Sequence, residues 1–196
     1  MRKSIIAILM TFCLSIMTYA QTPRDRATEL KEQAQSSLNQ KDYIKARYLF
    51  KKAYEAFATR ENYPQAIECG VQANALYVRE NFYKEGFELC RDMDQLIWAG
   101  EQNQKKVFYD LRFLVNKERL QMYTALKNPA QAKTQLNKLE ETANLAKNDS
   151  LTEVLLYTKA NYYYTFNQNT QGDACFRKLI NQYREKKDYA LSLIHI

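Results

Sequence analysis

Small and apolar residues recur along the chain at the spacing of one helix face. A pattern at relative positions 0, 3, 7, 10 and 14 starts at residues 43, 83, 129 and 169, so its copies lie 40, 46 and 40 residues apart. An α-helix has 3.6 residues per turn, which places these positions on one side of a helix. The second position is always small: Ala46, Gly86, Ala132 and Gly172. Since a small residue lets another helix cross close to the backbone, the pattern predicts stacked two-helix units.

Capping residues and breakers divide the sequence into four units, each an A helix followed by a B helix. Thr22 with Pro23 predicts the start of the first A helix, which should end near Asn39. The later helices are predicted at 43–59, 63–79, 82–98, 102–126, 150–166 and 169–186, and a further helix is predicted to start at residue 129. Gly100 should end the second B helix, and the Ser150–Glu153 capping box should open the last A helix. The predicted fold is all-α, a helical-repeat solenoid of about four helix pairs.

A tyrosine precedes the pattern by six residues in three of the four units. These residues are Tyr77, Tyr123 and Tyr163, whereas the first unit has Ser37. The position falls on the A helix, where a large ring can fill the space between packed helices. We expect an aromatic wedge between each A helix and its B partner.

The residues of these units resemble the tetratricopeptide repeat, a helix-turn-helix unit that stacks into a right-handed superhelix. Matching features are the small residues Ala34 and Ala160 on helix A, the tyrosine before the turn, the aromatic that opens helix B at Tyr43 and Tyr83, and the small helix-B position. The closing proline of the repeat is replaced by Ala58, Trp98, Asn144 and Arg184, and the units exceed the usual length of about 34 residues. The resemblance covers 22–189 and implies a concave face lined by the A helices. It names no ligand, because this fold hosts many partners.

Residues 1–20 are predicted to be a signal peptide. A basic start precedes a 13-residue, mostly apolar run at Ile5–Met17, and Thr18–Ala20 offers small residues at the two positions that signal peptidase reads. The run is shorter than the roughly 20 residues of a membrane-spanning helix. We expect cleavage before Gln21 and export, with an uncleaved anchor as the alternative.

The last six residues, 191–196, resemble the translation of a sequencing adapter and are expected to be a non-native tail. Asp188 and Tyr189 stand where Asn62 and Tyr63 stand in the first unit, so another helix should begin at Tyr189. The sequence therefore predicts a truncated chain whose helical repeat domain spans 21–190. The single histidine, His195, lies in the tail.

The charges indicate a solvated outer face. The chain has 29 Lys and Arg against 22 Asp and Glu, a net charge of +7. Acids and bases alternate along the predicted helices, as at Lys31-Glu32 and Arg79-Glu80, instead of forming a basic stripe. No nucleic-acid partner is expected for this segment.

Three cysteines follow the leader at wide spacing: Cys69, Cys90 and Cys175. An odd number at such spacing is not a disulfide framework, and Cys90 occupies a core position of the repeat, so buried thiols are expected. A Cys69–Cys90 bridge is the alternative in an oxidising compartment.

The sequence offers little for catalysis. The four glycines are isolated, so no glycine-rich loop could hold a phosphate. Without a histidine in the repeat region, neither a Ser-His nor a Cys-His couple can form, and Cys/His metal spacing is absent. We expect this segment to be no enzyme and to use no cofactor and no metal ion.

Polar and aromatic residues at non-core positions of the A helices form the candidate ligand-binding site: Arg79, Lys117, Gln121, Tyr157, Asn161 and Tyr164. The last three share one face of the fourth A helix. Rings beside an amide and two cations suit a peptide backbone or carboxylate. In the alternative, Tyr157 and Tyr164 pack on a further repeat.

Leader and repeats together resemble the sensor region of bacterial membrane regulators. That resemblance implies an exported, periplasmic protein- or peptide-binding domain that faces outward from the inner membrane. A transmembrane helix and a histidine kinase or DNA-binding domain would follow it, so membrane association would come only through this missing C-terminal part. The alternative is a free-standing periplasmic or surface scaffold for assembly or glycan uptake.

Overall fold

A computed structural model describes residues 25–185, which form eight α-helices and no strand. The helices are α1 (Arg26–Asn39), α2 (Tyr43–Thr59), α3 (Tyr63–Arg79), α4 (Tyr83–Gln104), α5 (Tyr109–Ala125), α6 (Pro129–Ala146), α7 (Asp149–Thr165) and α8 (Asn169–Glu185). The all-α class and the four helix pairs are therefore confirmed for this range. The predicted signal peptide, the Thr22 cap, the helix at Tyr189, His195 and the tail 191–196 lie outside the described residues.

Successive helices pack against each other along the whole range, and the odd-numbered A helices also meet one another. Helix α5 contacts both α3 and α7, and Lys31 of α1 donates to Gln65 and Glu68 of α3 at 2.8 and 2.7 Å. The A helices thus form one layer and the B helices the other. No helix within residues 25–185 combines the length and apolar character needed to cross a membrane.

The small position of the repeat lies where helices approach most closely, as predicted. Ala46 and Ala132 have no exposed surface, and Gly86 and Gly172 are also buried. A Cβ atom on Gly86 would lie 2.7 Å from Sδ of Met122 in α5, and one on Gly172 would lie 2.9 Å from the Tyr164 ring. These distances are shorter than van der Waals contact, so any larger residue must displace its neighbours.

The prediction that Gly100 ends a helix is wrong, because this glycine serves packing instead. Helix α4 continues past it to Gln104, and α5 starts at Tyr109 rather than near Gln102. A Cβ atom on Gly100 would lie 2.9 Å from the Phe108 ring and 3.0 Å from the Tyr63 ring. The absence of a side chain therefore lets the α4–α5 loop fold back over the helix.

Two predicted helix starts also differ from the structure. Asn148, and not Ser150, caps α7, since its side chain accepts from the Ser150 N–H at 3.0 Å. Asp25, three residues after the predicted cap Thr22, caps α1 by accepting from the Ala27 N–H at 3.1 Å. The observed cap lies three residues after the predicted one in α1 and two residues before it in α7, and in each helix its side chain accepts from a free amide of the first turn.

The turns between helices rely on left-handed residues that are not glycine. Each of the seven turns contains one residue with φ between 50° and 63°: Lys41, Glu61, Asn81, Lys105, Lys127, Lys147 and Asn167. A side chain makes this conformation costly, so the packing of the helices on either side must hold it. Uniform turn geometry is a second sign of a repeating unit.

The predicted tyrosine position belongs to the core, although its contacts differ from those expected. Tyr77, Tyr123 and Tyr163 are half-buried against the core clusters. The guanidinium carbon of Arg47 in α2 lies 4.9 Å from the centroid of the Tyr77 ring. The ring centroids of Tyr123 and of Phe87 in α4 are 4.8 Å apart. These two rings therefore reach the B helix of the preceding pair, which joins one unit to the next.

The buried apolar side chains form two clusters that meet at α5. The N-terminal cluster draws on α1–α4 and on Leu111, Val115 and Met122 of α5. The C-terminal cluster joins Phe113 and Leu120 of α5 to side chains of α6 and α7. Since α5 contributes to both, it couples the two halves of the fold.

All three described cysteines are free and buried, so the Cys69–Cys90 bridge is not formed. Burial raises the pKa of the Cys69 thiol to about 11 and that of Cys90 to about 12. Both side chains thus remain protonated at neutral pH and behave as small apolar groups.

Glu101 fixes the loop between α4 and α5. Its carboxylate accepts from the Phe108 N–H at 2.9 Å and forms an ion pair with Arg112 of α5, while only 6% of its surface is exposed. Arg112, together with the Phe108 N–H, lowers the pKa of this carboxyl below its ordinary value of 4.5. A lowered pKa means that the folded state favours the ionised form.

We expect this interaction to make part of the stability depend on acid pH. A carboxyl with a lowered folded-state pKa stabilises the fold above its unfolded-state pKa, and this contribution is lost as the pH falls through the folded-state value. Glu101→Gln should lower the free energy of unfolding at neutral pH by about 1 kcal/mol, because a neutral amide binds Arg112 more weakly. In urea unfolding, the gap between wild type and variant should close below pH 4.5. A gap that does not change with pH would contradict this role.

Candidate ligand-binding groove

A groove of about 430 Å³ lies between the A helices α5 and α7. Its lining comes from these two helices and the turn after α5: Lys117, Leu120, Gln121, Thr124, Ala125, Lys127, Val154, Tyr157, Thr158, Asn161, Tyr162 and Thr165. Four of the six predicted site residues are among them, namely Lys117, Gln121, Tyr157 and Asn161. The structure therefore brings most of the predicted set into one cavity.

Helical periodicity explains how each helix presents its stripe of residues. Lys117, Gln121 and Thr124 follow one another at i, i+4 and i+7 on α5, and Tyr157, Asn161 and Thr165 repeat every four residues on α7. Residues at these spacings share one helix face. The groove forms because α5 and α7 touch only sparsely, while each packs closely on its own B partner.

The threonine hydroxyls of the groove already donate within their helices. Thr124, Thr158 and Thr165 donate to the carbonyls of Leu120, Val154 and Asn161 at 2.7, 2.7 and 2.8 Å. Each hydroxyl oxygen can still accept, and each methyl group offers apolar surface. These residues therefore offer a ligand acceptor oxygens and apolar surface but no free hydroxyl donor.

The amides of Gln121 and Asn161 are the polar groups left for a ligand. Both side chains are exposed, and neither has a hydrogen-bond partner within residues 25–185. An amide offers two N–H donors and an acceptor oxygen, which is the complement of a peptide unit. Since the two residues stand on opposite helices, they can bind a main chain from both sides.

The charges of the groove are all positive. Lys117 contacts Glu118 at 3.2 Å, and Glu118, of which 1% is exposed, also accepts from Asn74 at 3.1 Å. Glu118 is buried behind the groove and does not line it. Lys127 stands at one end of the groove in the left-handed turn. No acidic side chain contributes to the lining.

Two predicted site residues lie elsewhere. Arg79 stacks on the Tyr43 ring, with its guanidinium carbon 4.0 Å from the ring centroid. Tyr164 packs over Gly172, donates to Asp173 and lies 5.8 Å from the Phe176 ring. That hydrogen bond to Asp173 raises the pKa of the Tyr164 hydroxyl. Both side chains thus serve contacts within the fold.

Tyr157 has a divided role. It lines the groove, and its ring also meets Phe176 of α8 edge to face, with centroids 6.1 Å apart. Almost half of its surface remains exposed. The face predicted for Tyr157, Asn161 and Tyr164 is therefore split, with the first two at the groove and the third against α8.

Several lining residues were not predicted from the sequence, including Thr124, Lys127, Val154 and Thr165. The four-residue spacing that relates Thr165 to Asn161 could have revealed one of them. Lys127 belongs to a turn, whose direction helix periodicity does not predict.

A second cavity, of about 470 Å³, lies between the B helices α4 and α6 and is floored by α5. Trp98 and Leu145 stand at its edges, with 62% and 49% of their surfaces exposed. Its arginines already have partners, since Arg112 binds Glu101 and Arg119 binds Asp94. The two arginines of this cavity are therefore engaged within the fold.

The described residues contain no group of three His, Cys, Asp or Glu side chains that could hold a metal ion. Searches against protein-family models, curated proteins and solved structures each found no match for this chain.

Proposed function

We propose that this chain is a tetratricopeptide-like binding domain that holds a peptide segment of a protein ligand in the groove between α5 and α7. The observation that carries the proposal is the pair of exposed, unpartnered amides of Gln121 and Asn161 on facing helices. Amides in this arrangement suit a peptide main chain, and Lys117 and Lys127 suit an acidic side chain or a terminal carboxylate.

The size and polarity of the groove support a peptide more than a small apolar molecule. A cavity of about 430 Å³ falls within the usual range for ligand sites, yet it is open along the helices. Apolar contact comes from Val154, Leu120 and the Tyr157 ring, which can hold one or two ligand side chains. Main-chain binding would supply affinity, and these contacts would supply specificity.

Selection of peptides from a random display library tests this function. The full chain should enrich peptides, and the double variant Gln121→Ala and Asn161→Ala should bind them at least tenfold more weakly, because about 1 kcal/mol is lost with each hydrogen bond. The matched control is Gln95→Ala with Asn137→Ala, which removes one exposed glutamine and one exposed asparagine outside the groove. Equal loss in both double variants, or no enrichment at all, would refute peptide binding at this site.

We further propose that the domain is exported and acts as the sensory part of a larger bacterial signalling protein. Support comes from the predicted leader, from the resemblance to sensor regions of membrane regulators, and from a groove that offers binding groups. The proposal implies a membrane span and a kinase or DNA-binding domain after the repeats.

Fractionation of cells that express the complete gene separates this role from that of a free-standing scaffold. A sensor region attached to a membrane span should leave the membrane only with detergent. A scaffold for assembly or glycan uptake should leave it with salt or appear among the periplasmic proteins, and that result would refute the sensory role.

A further inference from the structure

The outer face of α2 carries two large side chains that the fold leaves in solvent. Ile44 and Tyr48 are 69% and 61% exposed, although most large apolar side chains among residues 25–185 are buried or half-buried. They lie four residues apart and therefore side by side on one line of the helix. We name these two residues, together with the neighbouring Lys41, Lys45 and Lys51, the α2 ridge.

The repeat itself shows that the fold does not require apolar residues at these positions. The register of Ile44 and Tyr48 is occupied by Lys84 and Glu88 in α4, by Ala130 and Thr134 in α6, and by Thr170 and Ala174 in α8, all of them exposed. Small or charged residues thus satisfy the same outward position in every other B helix. Packing within the described residues therefore does not require Ile44 and Tyr48.

The lysines of the ridge have no acidic partner among residues 25–185. The nearby acids are engaged: Asp42 caps α2, and Glu55 forms an ion pair with Lys52 at 2.8 Å. Nζ of Lys52 also lies 5.9 Å from the Tyr48 ring centroid. The result is a surface with uncompensated positive charge around an apolar line.

The corresponding surface of α4 lacks this character. Glu85 and Arg91 take the positions of Lys45 and Lys51, and Asp92 takes that of Lys52. Acids therefore outnumber bases at these positions of α4, whereas α2 presents mainly bases. Helix α8 also carries bases at the positions of Lys51 and Lys52, namely Arg177 and Lys178, but it has Thr170 and Ala174 in the register of Ile44 and Tyr48. Among the four B helices within residues 25–185, only α2 combines bases with two large apolar side chains.

We propose that the α2 ridge docks on an anionic lipid bilayer. Tyrosine is favoured at the membrane interface because its ring is apolar and its hydroxyl is polar, while an isoleucine beside it can enter the acyl boundary. Lysines extend their chains along apolar surface and place their charges at lipid phosphates. A protein partner fits less well, because lysine is depleted from protein interfaces. The ridge is separate from the α5–α7 groove, so this proposal does not rest on peptide binding.

Sedimentation with vesicles tests the proposal on the full chain. Binding to vesicles of phosphatidylglycerol and phosphatidylcholine in equal parts should exceed binding to phosphatidylcholine alone, and the excess should fall as salt is added. Lys45→Ala with Lys51→Ala should reduce the excess about fivefold for each lysine removed. Ile44→Ser with Tyr48→Ser should also reduce it, although the charge is unchanged. Any contribution of the N-terminal apolar run is common to all variants and cancels in the comparison.

The matched control is Lys84→Ala with Arg91→Ala, which removes the same charge from α4 and should keep the preference for anionic vesicles. All of these side chains are exposed, so thermal melts should show that every variant is folded. The proposal is overturned if wild type does not prefer anionic vesicles, or if the α2 and α4 variants lose the preference equally. Binding to polyglutamate without binding to the vesicles would assign the ridge to an acidic protein and would also overturn it.

Discussion

Replacing Phe113 by alanine is expected to destabilise the C-terminal half of this protein by about 3–5 kcal/mol, the usual range for removal of a buried phenylalanine. Phe113 has no exposed surface and belongs to the cluster that joins α5 to α6 and α7. In a repeat fold each unit contacts mainly its neighbours, so the damage should remain local. Hydrogen exchange should accelerate in α6 and α7 and change little in α1–α3.

Phe50→Ala provides the matched comparison. Phe50 is 1% exposed and belongs to the N-terminal cluster, so the same number of atoms is removed from an equally buried site. Its variant should accelerate exchange in α1–α4 and spare α7. If both variants accelerate exchange uniformly, the two clusters form a single cooperative core and the division at α5 is wrong.

Replacing Gly86 by leucine is expected to cost about 1–3 kcal/mol, because the new side chain overpacks the junction of three helices. Even a Cβ atom at this position would lie 2.7 Å from Sδ of Met122 and 3.0 Å from Oδ1 of Asn74. Asn74 is fully buried and bound to Glu118, so it has little room to move. Chemical unfolding should show a clearly lower midpoint for this variant than for wild type.

Two substitutions serve as controls for that result. Gly86→Ala should be far milder, since Met122 can rotate away and alanine favours the helix by about 1 kcal/mol. Ala130→Leu adds a side chain of the same size at an exposed position of α6 and should leave the midpoint nearly unchanged. A Gly86→Leu protein as stable as wild type would show that the repeat register is wrong.

Helix periodicity and capping were enough to predict most of the fold. The boundaries of α2 and α3 agree with the prediction to the residue, because a strong apolar stripe ends at a polar turn in both. The predicted end of α4 was wrong, because a glycine at the end of an apolar pattern usually marks the end of a helix. Gly100 instead leaves room for the rings of Tyr63 and Phe108. A contact with a residue on another helix leaves no signal in a local window of sequence.

The candidate site could be predicted only in part, for a related reason. Spacing along a helix shows which residues share a face, and three of the residues selected in this way, Lys117, Gln121 and Asn161, line one groove. Spacing does not show whether a residue on another helix already contacts a given side chain. Arg79 stacks on the Tyr43 ring, and Tyr164 donates to Asp173, and neither residue lines the groove.

Photo-crosslinking of a selected peptide shows directly whether the groove between α5 and α7 is the binding site. A peptide recovered from the display library, carrying a photoreactive group at its centre, is irradiated with the full chain, and the adduct is located by mass spectrometry. We expect adducts on the groove residues of α5, the turn after it and α7, within 117–127 and 154–165. Adducts concentrated at the cavity between α4 and α6, or on the outer face of α2, would contradict it.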